Sequence, residues 1–122
     1  MVCANPDLAV NRGGARLPCA GAVARAYERI GGAVAYHGKP GRAAFEACLR
    51  RLPGVARDRV LAVGDGLETD IAGAAAAGIE AAFVAGGIHA AELGADGDPA
   101  ALRAELVRRG LAPVVVLPAL RW

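Results

Sequence analysis

The amino-acid sequence predicts a single α/β domain with a mainly parallel sheet. Short β-like runs alternate with Ala-rich helical runs along the chain, and Gly and Pro residues separate them. One run, predicted as a strand at residues 59–63, is continuously apolar from Val60 to Val63, as expected for a strand covered on both faces. The length of 122 residues suits one small domain, and no repeat or low-complexity linker divides it.

Helical periodicity in the first half of the chain is clearest at residues 42–52. Phe45, Leu49 and Leu52 are spaced to share one face of a helix, and Pro53-Gly54 ends the pattern. This helix follows Gly38-Lys39-Pro40 almost directly. The other elements predicted in this half are a strand at 1–4, a helix at 19–30 and a strand at 34–36.

The second half begins with the strand at 59–63, which stops at Gly64-Asp65-Gly66. A helix is predicted to follow at 69–77, with Thr69 as its N-cap and Gly78 as its stop. The remaining predicted elements are a strand at 81–84, a helix at 98–109 and a strand at 114–117. Arg109 lies late in its helix, where a cation complements the helix dipole, and we expect it on a solvated face.

Composition excludes several classes of function. The formal net charge is +2 and no run of Lys or Arg is long, so we expect no nucleic-acid partner. The chain has no Ser and only one Thr, so it cannot hold a Ser-His-Asp triad. The start has no basic segment before an apolar one, and no stretch is a convincing membrane span. We expect a soluble protein without a membrane partner.

The three cysteines are an odd number without CxxC spacing. This pattern argues against a disulfide framework and against a zinc site. We therefore expect the protein to be located in the reducing cytoplasm.

Two carboxylates are candidates for a metal site. Asp65 lies at the carboxyl end of the clearest strand, where ligands bind in open α/β sheets, and Asp70 follows five residues later. The loop between them could turn both side chains toward one point, and ligands that offer only oxygen favour Mg²⁺. The alternative is that Asp65 only makes a turn and Asp70 only caps a helix.

Lys39 is the only lysine among 14 basic residues, the other 13 being arginine. A compact ammonium on a flexible stem suits a site that needs one point charge between a carboxylate and a phosphate, whereas a guanidinium is wide and planar. Gly38 and Pro40 fix the backbone on either side of it. The alternative is an ordinary lysine on a solvated loop.

Together these residues resemble a known family. Gly38-Lys39-Pro40, with the GDxxxTDI pattern at 64–71, resembles the later motifs of the haloacid dehalogenase (HAD) superfamily, in the form typical of subfamily IIA. The combination at this separation is more specific than either motif alone. Further matches to an uncharacterised branch of that subfamily are residues 3–7, 20–21, 31–32 and 86–89, so that the resemblance covers nearly the whole chain.

The resemblance implies a Rossmann-like core with three α/β/α layers and an activity on small phosphate esters. In this family an aspartate attacks the phosphoryl group of a small phosphorylated metabolite and forms an aspartyl phosphate, assisted by Mg²⁺. At the matching positions, Asp65 would bind the metal and Asp70 would support the metal shell. Lys39 would be catalytic, because it would hold the charges of nucleophile and phosphate together.

Three further residues are candidates for substrate binding on the same resemblance: Asn5, Asp7 and Gly64. Asn5 and Asp7 match a segment where the family's chain returns from a cap domain to the core, and the alternative for them is a simple Asx-Pro turn. Residues 1–122 would then be one domain, the carboxyl-terminal half of the core, with 1–18 as the return segment from the cap.

The departure from the family is the missing nucleophile motif. The expected Asp-x-Asp should follow an apolar strand upstream of Asn5, and the only Asp-x-Asp in the sequence is Asp96-Gly97-Asp98. That segment lies in a polar loop, and we interpret it as a turn with Asp98 as helix N-cap and Pro99 at the first helical position. We therefore expect little or no phosphatase activity from this chain alone.

The rival hypothesis is a non-catalytic binding or assembly module, or one half of a split protein. Such a half-domain would expose an apolar sheet edge or face, which a complementing chain or a second copy would cover. A sequence that lacks its upstream part is a third alternative.

Overall fold

The computed structural model describes residues 1–90 and 98–121. Its elements are β1 (Val2–Cys3), β2 (Ala9–Arg12), β3 (Ala15–Pro18), α1 (Ala20–Arg29), β4 (Ala35–Tyr36), α2 (Arg42–Leu49), β5 (Leu61–Gly64), α3 (Ala72–Ala77), β6 (Glu80–Val84), α4 (Pro99–Arg108) and β7 (Val115–Leu117). A 3₁₀ turn at Arg57–Arg59 precedes β5, and one π-helical turn at Leu67–Ile71 leads into α3.

Parallel pairing dominates the sheets, which confirms the predicted α/β class. Strands β5, β6 and β7 form a three-stranded parallel sheet in that order, and β1 pairs in parallel with β4. Helices connect the parallel strands, as this pairing requires. The described helices include none that is both long enough and apolar enough to cross a membrane.

The antiparallel hairpin of β2 and β3 was not predicted. Its strands are four residues each and join through Gly13 and Gly14, whose φ values of 58° and 78° suit a tight two-residue turn. All four residues of β3 are exposed, so this strand has no buried face that the pattern of apolar residues could indicate. The segment predicted as a return from a cap therefore contains regular structure.

The main core lies between the three-stranded sheet and the helices that flank it. Phe83 on β6 is fully buried and packs with Leu67, Ile71 and Leu106. Alanines fill the rest of this interface, so that α3 comes close to β6. The turn that carries Asp70 is thereby held between the sheet and α4.

The start of the α3 segment differs from the prediction. Thr69 is not an N-cap, because the helical turn already begins at Leu67 and Gly66 precedes it. The Gly66 carbonyl accepts hydrogen bonds from the backbone N–H groups of Asp70 and Ile71, at 2.8 and 3.1 Å. The Gly66 N–H in turn donates to the Asp70 carboxylate, and no side chain at the cap position closes the first turn.

The other two predicted helix boundary signals are confirmed. Gly78 ends α3 in the left-handed conformation, with a φ of 68°. Asp98 accepts a hydrogen bond from the backbone N–H of Ala100 at 2.9 Å, and Pro99 opens α4. Asp96 and Gly97 lie outside the described residues. Helix α2 ends at Leu49, three residues before the predicted end.

Candidate functional site

The site is centred on an ion pair between two loops. The Lys39 Nζ atom lies 2.5 Å from Oδ1 of Asp70, with the Lys39 side chain half exposed and the Asp70 side chain largely buried. Packing brings these loops together, because Gly73 of α3 lies against the Phe45 ring and the Pro40 backbone so closely that a β-carbon would not fit. The loop before α2 is therefore fixed against the start of α3.

Three carboxylates act on the Lys39 ammonium. The hydrogen bond to Asp70 is the largest cause of a raised Lys39 pKa, and the negative charges of Asp70, Asp7 and Asp65 add to it, while partial burial opposes it. Lys39 therefore remains protonated in neutral solution. Of the other predicted site residues, Asp70 contacts Lys39 directly, and Asp7 and Asp65 act on it through their charge.

Asp70 has both carboxylate oxygens engaged. Oδ1 accepts from Lys39, and Oδ2 accepts from the Gly66 N–H at 3.0 Å. Gly64 approaches the same carboxylate, since a β-carbon at Gly64 would lie 2.3 Å from Asp70 Cγ. Gly64 therefore has room for a hydrogen atom but not for a side chain. This packing explains why glycine occupies the predicted substrate-binding position.

Asp65 is held by the loop after β6. Its Oδ2 atom accepts a hydrogen bond from the Ile88 N–H at 2.9 Å. Gly87 lies so close that a β-carbon there would be 2.1 Å from Asp65 Cβ. Within residues 1–90 and 98–121, Asp65 Oδ1 takes part in no hydrogen bond, so this oxygen is available to a cation.

The segment with Asn5 and Asp7 forms the turn that was weighed as its alternative. Asn5 Oδ1 accepts a hydrogen bond from the Asp7 N–H at 3.0 Å, which is an Asx turn. The residue before this turn lies against the loop that carries Lys39. Gly38 has a φ of 89°, and a β-carbon built on it would lie only 3.0 Å from the Ala4 carbonyl oxygen. Asn5 thus shapes the loop, and Asp7 contributes charge near Lys39.

His89 is a residue whose part in the site was not predicted. It is buried, and its Nε2 atom accepts a hydrogen bond from the Leu67 N–H at 3.3 Å. Two hydrogen bonds join the loop after β5 to the loop after β6. In one, Leu67 of the first loop donates to His89 of the second, and in the other, Ile88 of the second loop donates to Asp65 of the first.

Arg109 departs from the solvated position expected of it. Its guanidinium pairs with Glu68, in the turn that carries Asp70, and with Glu105 Oε1 at 2.5 Å on its own helix. Its side chain is 20% exposed. Helix α4 is therefore tied to the site loop, and no local spacing in the sequence signals a pair 41 residues apart.

The donor set fits a hard divalent cation. Among residues 1–90 and 98–121, no three His, Cys, Asp or Glu side chains gather as a metal cluster. Asp65 nevertheless offers an uncommitted carboxylate oxygen, and oxygen donors suit Mg²⁺, which retains several waters and binds one or two protein carboxylates. Asp70, whose oxygens are already engaged, fits a supporting position beside that ion.

Comparison with protein-family models gives a match over residues 36–112 to the family described as HAD-hydrolase-like. This range includes Lys39, Asp65 and Asp70, and it covers more than half of the chain. The chain belongs to the HAD-hydrolase-like family. The predicted membership of the HAD superfamily, in a form similar to subfamily IIA, is thereby confirmed. A search of curated proteins gave no match.

Solved structures of HAD hydrolases are similar to this chain over most of its length. A haloacid dehalogenase-like hydrolase from Brucella suis is 39% identical, with a TM-score of 0.75 over 98% of this chain and 44% of that one. A p-nitrophenyl phosphatase from Archaeoglobus fulgidus is 27% identical, with a TM-score of 0.67 over 94% and 41%.

A glycerol phosphate phosphatase from Mycobacterium tuberculosis, solved in complex with calcium, is 36% identical, with a TM-score of 0.59 over 71% of this chain and 25% of that one. This chain therefore spans less than half the length of each of these three HAD hydrolases.

Proposed function

We propose that this HAD chain supplies the metal-binding and phosphate-binding part of a Mg²⁺-dependent phosphohydrolase that acts on small phosphate esters. The observation that carries the proposal is the contact of the Lys39 ammonium with Asp70 at 2.5 Å, beside Asp65. A half-exposed ammonium can reach a substrate, and its raised pKa keeps it charged. Lys39 would therefore hold a phosphate oxygen by charge and hydrogen bonding.

The charges around Lys39 support a requirement for a cation. The carboxylates of Asp7, Asp65 and Asp70 all act on the Lys39 ammonium, so acidic groups outnumber this cation. A divalent cation bound at Asp65 would lessen the repulsion between these carboxylates and an anionic ester. Asp65 is the direct ligand in this proposal, and Asp70 supports it through Gly66 and Lys39. Mg²⁺, when bound, supplies neutralisation of charge on the phosphoryl oxygens.

The covalent step needs a further carboxylate. The only Asp-x-Asp of the sequence includes Asp98, whose carboxylate caps α4. A carboxylate engaged at a helix N-terminus is poorly suited to nucleophilic attack. We therefore propose that the nucleophile lies outside these 122 residues, in an upstream segment of a longer protein, and that the present chain alone turns over little substrate.

Similarity supports the substrate class. The neighbouring structures include a p-nitrophenyl phosphatase and a glycerol phosphate phosphatase. Both act on small phosphate monoesters, so a small phosphorylated metabolite is the proposed substrate. We further propose a cytoplasmic location, residues 1–122 as one domain, and residues 1–18 as the segment that returns from a cap.

The second candidate function is an assembly module or one half of a split protein. Strand β5 lies at the end of the three-stranded sheet, and its Leu61 and Val63 side chains are 48% and 47% exposed. Apolar side chains on an edge strand favour pairing with another chain. Light scattering tests this candidate, because a compact monomer at all concentrations would contradict it.

Calorimetric titration of the chain with Mg²⁺, and then with inorganic phosphate, tests the proposed phosphohydrolase site. We expect weak Mg²⁺ binding, and phosphate binding only when Mg²⁺ is present. Asp65→Asn should abolish both, whereas Asp58→Asn, at an exposed position of the 3₁₀ turn, should change neither. Equal phosphate affinity with and without Mg²⁺ would contradict the proposal.

A further inference from the structure

Helix α1 packs by its first turn against the segment that carries Asp7. The Gly21 N–H donates to the Asp7 carbonyl at 3.1 Å, and the Cys19 N–H donates to the Leu8 carbonyl at 3.0 Å. A β-carbon at Gly21 would lie 2.1 Å from the Pro6 carbonyl oxygen. The backbones of α1 and of this segment are therefore in direct contact, and the rotation of the helix about its axis is fixed.

This contact determines where Arg25 lies. Arg25 follows Gly21 by four residues, so both are on the same face of α1. Ala24, next to it in the chain, is fully buried, so this part of the helix is packed against the protein. The Arg25 side chain accordingly lines a cleft of about 510 Å³ that Lys39 also lines.

Arg25 also lines a second cleft, of about 530 Å³, that reaches Asp7 and the loop of Ile88. Pro6 and Pro40 are likewise shared by the two clefts. Arg25 thus lies where the two clefts meet, near the residues proposed to bind metal and phosphate.

The charge of Arg25 acts on the Tyr36 hydroxyl in the same cleft, but no protein group is bound to the guanidinium in the part of the chain that the structure describes. Over residues 1–90 and 98–121 it forms no hydrogen bond and no ion pair, whereas the Lys39 charge is paired with Asp70. One acidic residue, Glu28, lines the same cleft as Arg25, and it accepts a hydrogen bond from the Tyr36 hydroxyl at 2.8 Å. A guanidinium with no protein partner can make a bidentate contact with an anion.

We propose that Arg25 binds a second anionic group of the substrate, so that the site prefers phosphate monoesters that also carry a carboxylate or another phosphate. This inference rests on the proposed function, since it takes Lys39 as the position of the first phosphate. Arg25 is then a specificity-determining residue that lies apart from the reacting bond.

Matched ligand pairs test the proposal in calorimetric titrations of the whole chain with Mg²⁺ present. 3-Phosphoglycerate differs from glycerol 3-phosphate by a carboxylate in place of a hydroxymethyl group, and fructose 1,6-bisphosphate differs from fructose 6-phosphate by one phosphate. We expect the member with two anionic groups to bind about tenfold more tightly in at least one pair, as for one additional charge-assisted contact. The pair that shows the preference identifies carboxylate or phosphate as the second group.

Variants of α1 connect this preference to Arg25. Arg25→Ala should remove the preference while leaving affinity for inorganic phosphate unchanged, and Arg25→Lys should retain part of it. Arg29→Ala removes the same charge from the same helix at an exposed position that lines neither cleft, and it should keep the full preference. A circular dichroism spectrum of each variant checks that it is folded.

Each outcome decides between the two proposals. Equal affinities within both pairs in the unmodified chain would overturn the role of Arg25 and leave the phosphate site intact. A preference that survives Arg25→Ala would overturn it as well. Failure of inorganic phosphate to bind at all would instead overturn the proposed function, and the role of Arg25 with it.

Discussion

Lys39 and Asp70 are 31 residues apart in the chain, and the Nζ atom of one lies 2.5 Å from a carboxylate oxygen of the other. The pair joins the loop before α2 to the turn before α3. It consists of a half-exposed cation and a largely buried anion, so its two partners should respond differently to substitution.

Lys39→Ala should weaken phosphate binding strongly and stability slightly. The buried Asp70 carboxylate loses its cation but keeps the Gly66 N–H, and a half-exposed pair contributes about 1 kcal/mol or less to the free energy of unfolding. We expect at least a tenfold loss of phosphate affinity, which corresponds to about 1.4 kcal/mol. Urea unfolding and calorimetry measure the two quantities.

Lys39→Arg and Arg51→Ala are the comparisons for this prediction. The wider guanidinium should restore stability more than phosphate affinity, because it cannot place one point charge between Asp70 and a ligand. Arg51 is exposed and outside the site, so its loss should change neither quantity. Unchanged phosphate affinity in Lys39→Ala would argue against a phosphate-binding role for Lys39.

Alkaline pH should weaken the fold through Lys39. Its pKa is raised above the ordinary value of 10.5, chiefly by the hydrogen bond to Asp70, so the folded state binds this proton more tightly than the unfolded state does. The resulting stabilisation is fully present below pH 10.5 and is lost as pH rises through the folded-state pKa. The free energy of unfolding should therefore fall above that pH.

The contribution of Lys39 to this alkaline loss of stability must be separated from that of Tyr36. Tyr36 also has a raised pKa, mainly through its hydrogen bond to Glu28, and it titrates in the same range. The measurement is therefore made in a Tyr36→Phe background, with and without Lys39→Met. A steeper alkaline loss in the Lys39 protein is expected, and identical curves for the two proteins would show that Lys39 does not contribute.

Gly87→Ala should disrupt the proposed metal site. The new β-carbon would lie 2.1 Å from Asp65 Cβ, so the Asp65 side chain or the loop must move. We expect a loss of about 1–3 kcal/mol in stability, typical of overpacking, together with loss of Mg²⁺ binding. Gly54→Ala is the control, because it strains a backbone with φ of 78° in open space and should leave Mg²⁺ affinity unchanged. Retained Mg²⁺ binding in Gly87→Ala would place the metal away from Asp65.

His89→Phe should loosen the loop that follows β5. It preserves an aromatic ring near Phe83 but removes the nitrogen that accepts the Leu67 N–H. We expect faster hydrogen exchange at the Leu67 amide and about a tenfold weaker Mg²⁺ affinity, since one buried hydrogen bond is worth about 1 kcal/mol. His89→Gln retains an acceptor and should restore part of both. Unaltered exchange at Leu67 would show that His89 does not position this loop.

Residue chemistry predicted the centre of the candidate site from the sequence, whereas long-range packing determined its surroundings. A lone lysine and two aspartates next to a strand end are local signals, and the structure brings Lys39 and Asp70 into contact. The pairing of Arg109 with Glu68 and the position of Arg25 depend on how helices dock, which no spacing in the sequence encodes. The β2–β3 hairpin was not predicted, and the exposure of all four β3 residues explains why no buried face marked that strand.

Glycines that contact the Asp65 and Asp70 carboxylates have no room for a β-carbon. This packing limits which substitutions relatives of this protein can accept. Substitution of Gly64, Gly66 or Gly87 by any other residue would displace a side chain needed by the site, so natural drift there should be rare. Arg25, by contrast, is exposed and can be exchanged without disturbing the backbone. New ligand preferences should therefore arise at exposed positions that line the clefts, such as Arg25, and libraries for directed evolution are best concentrated there.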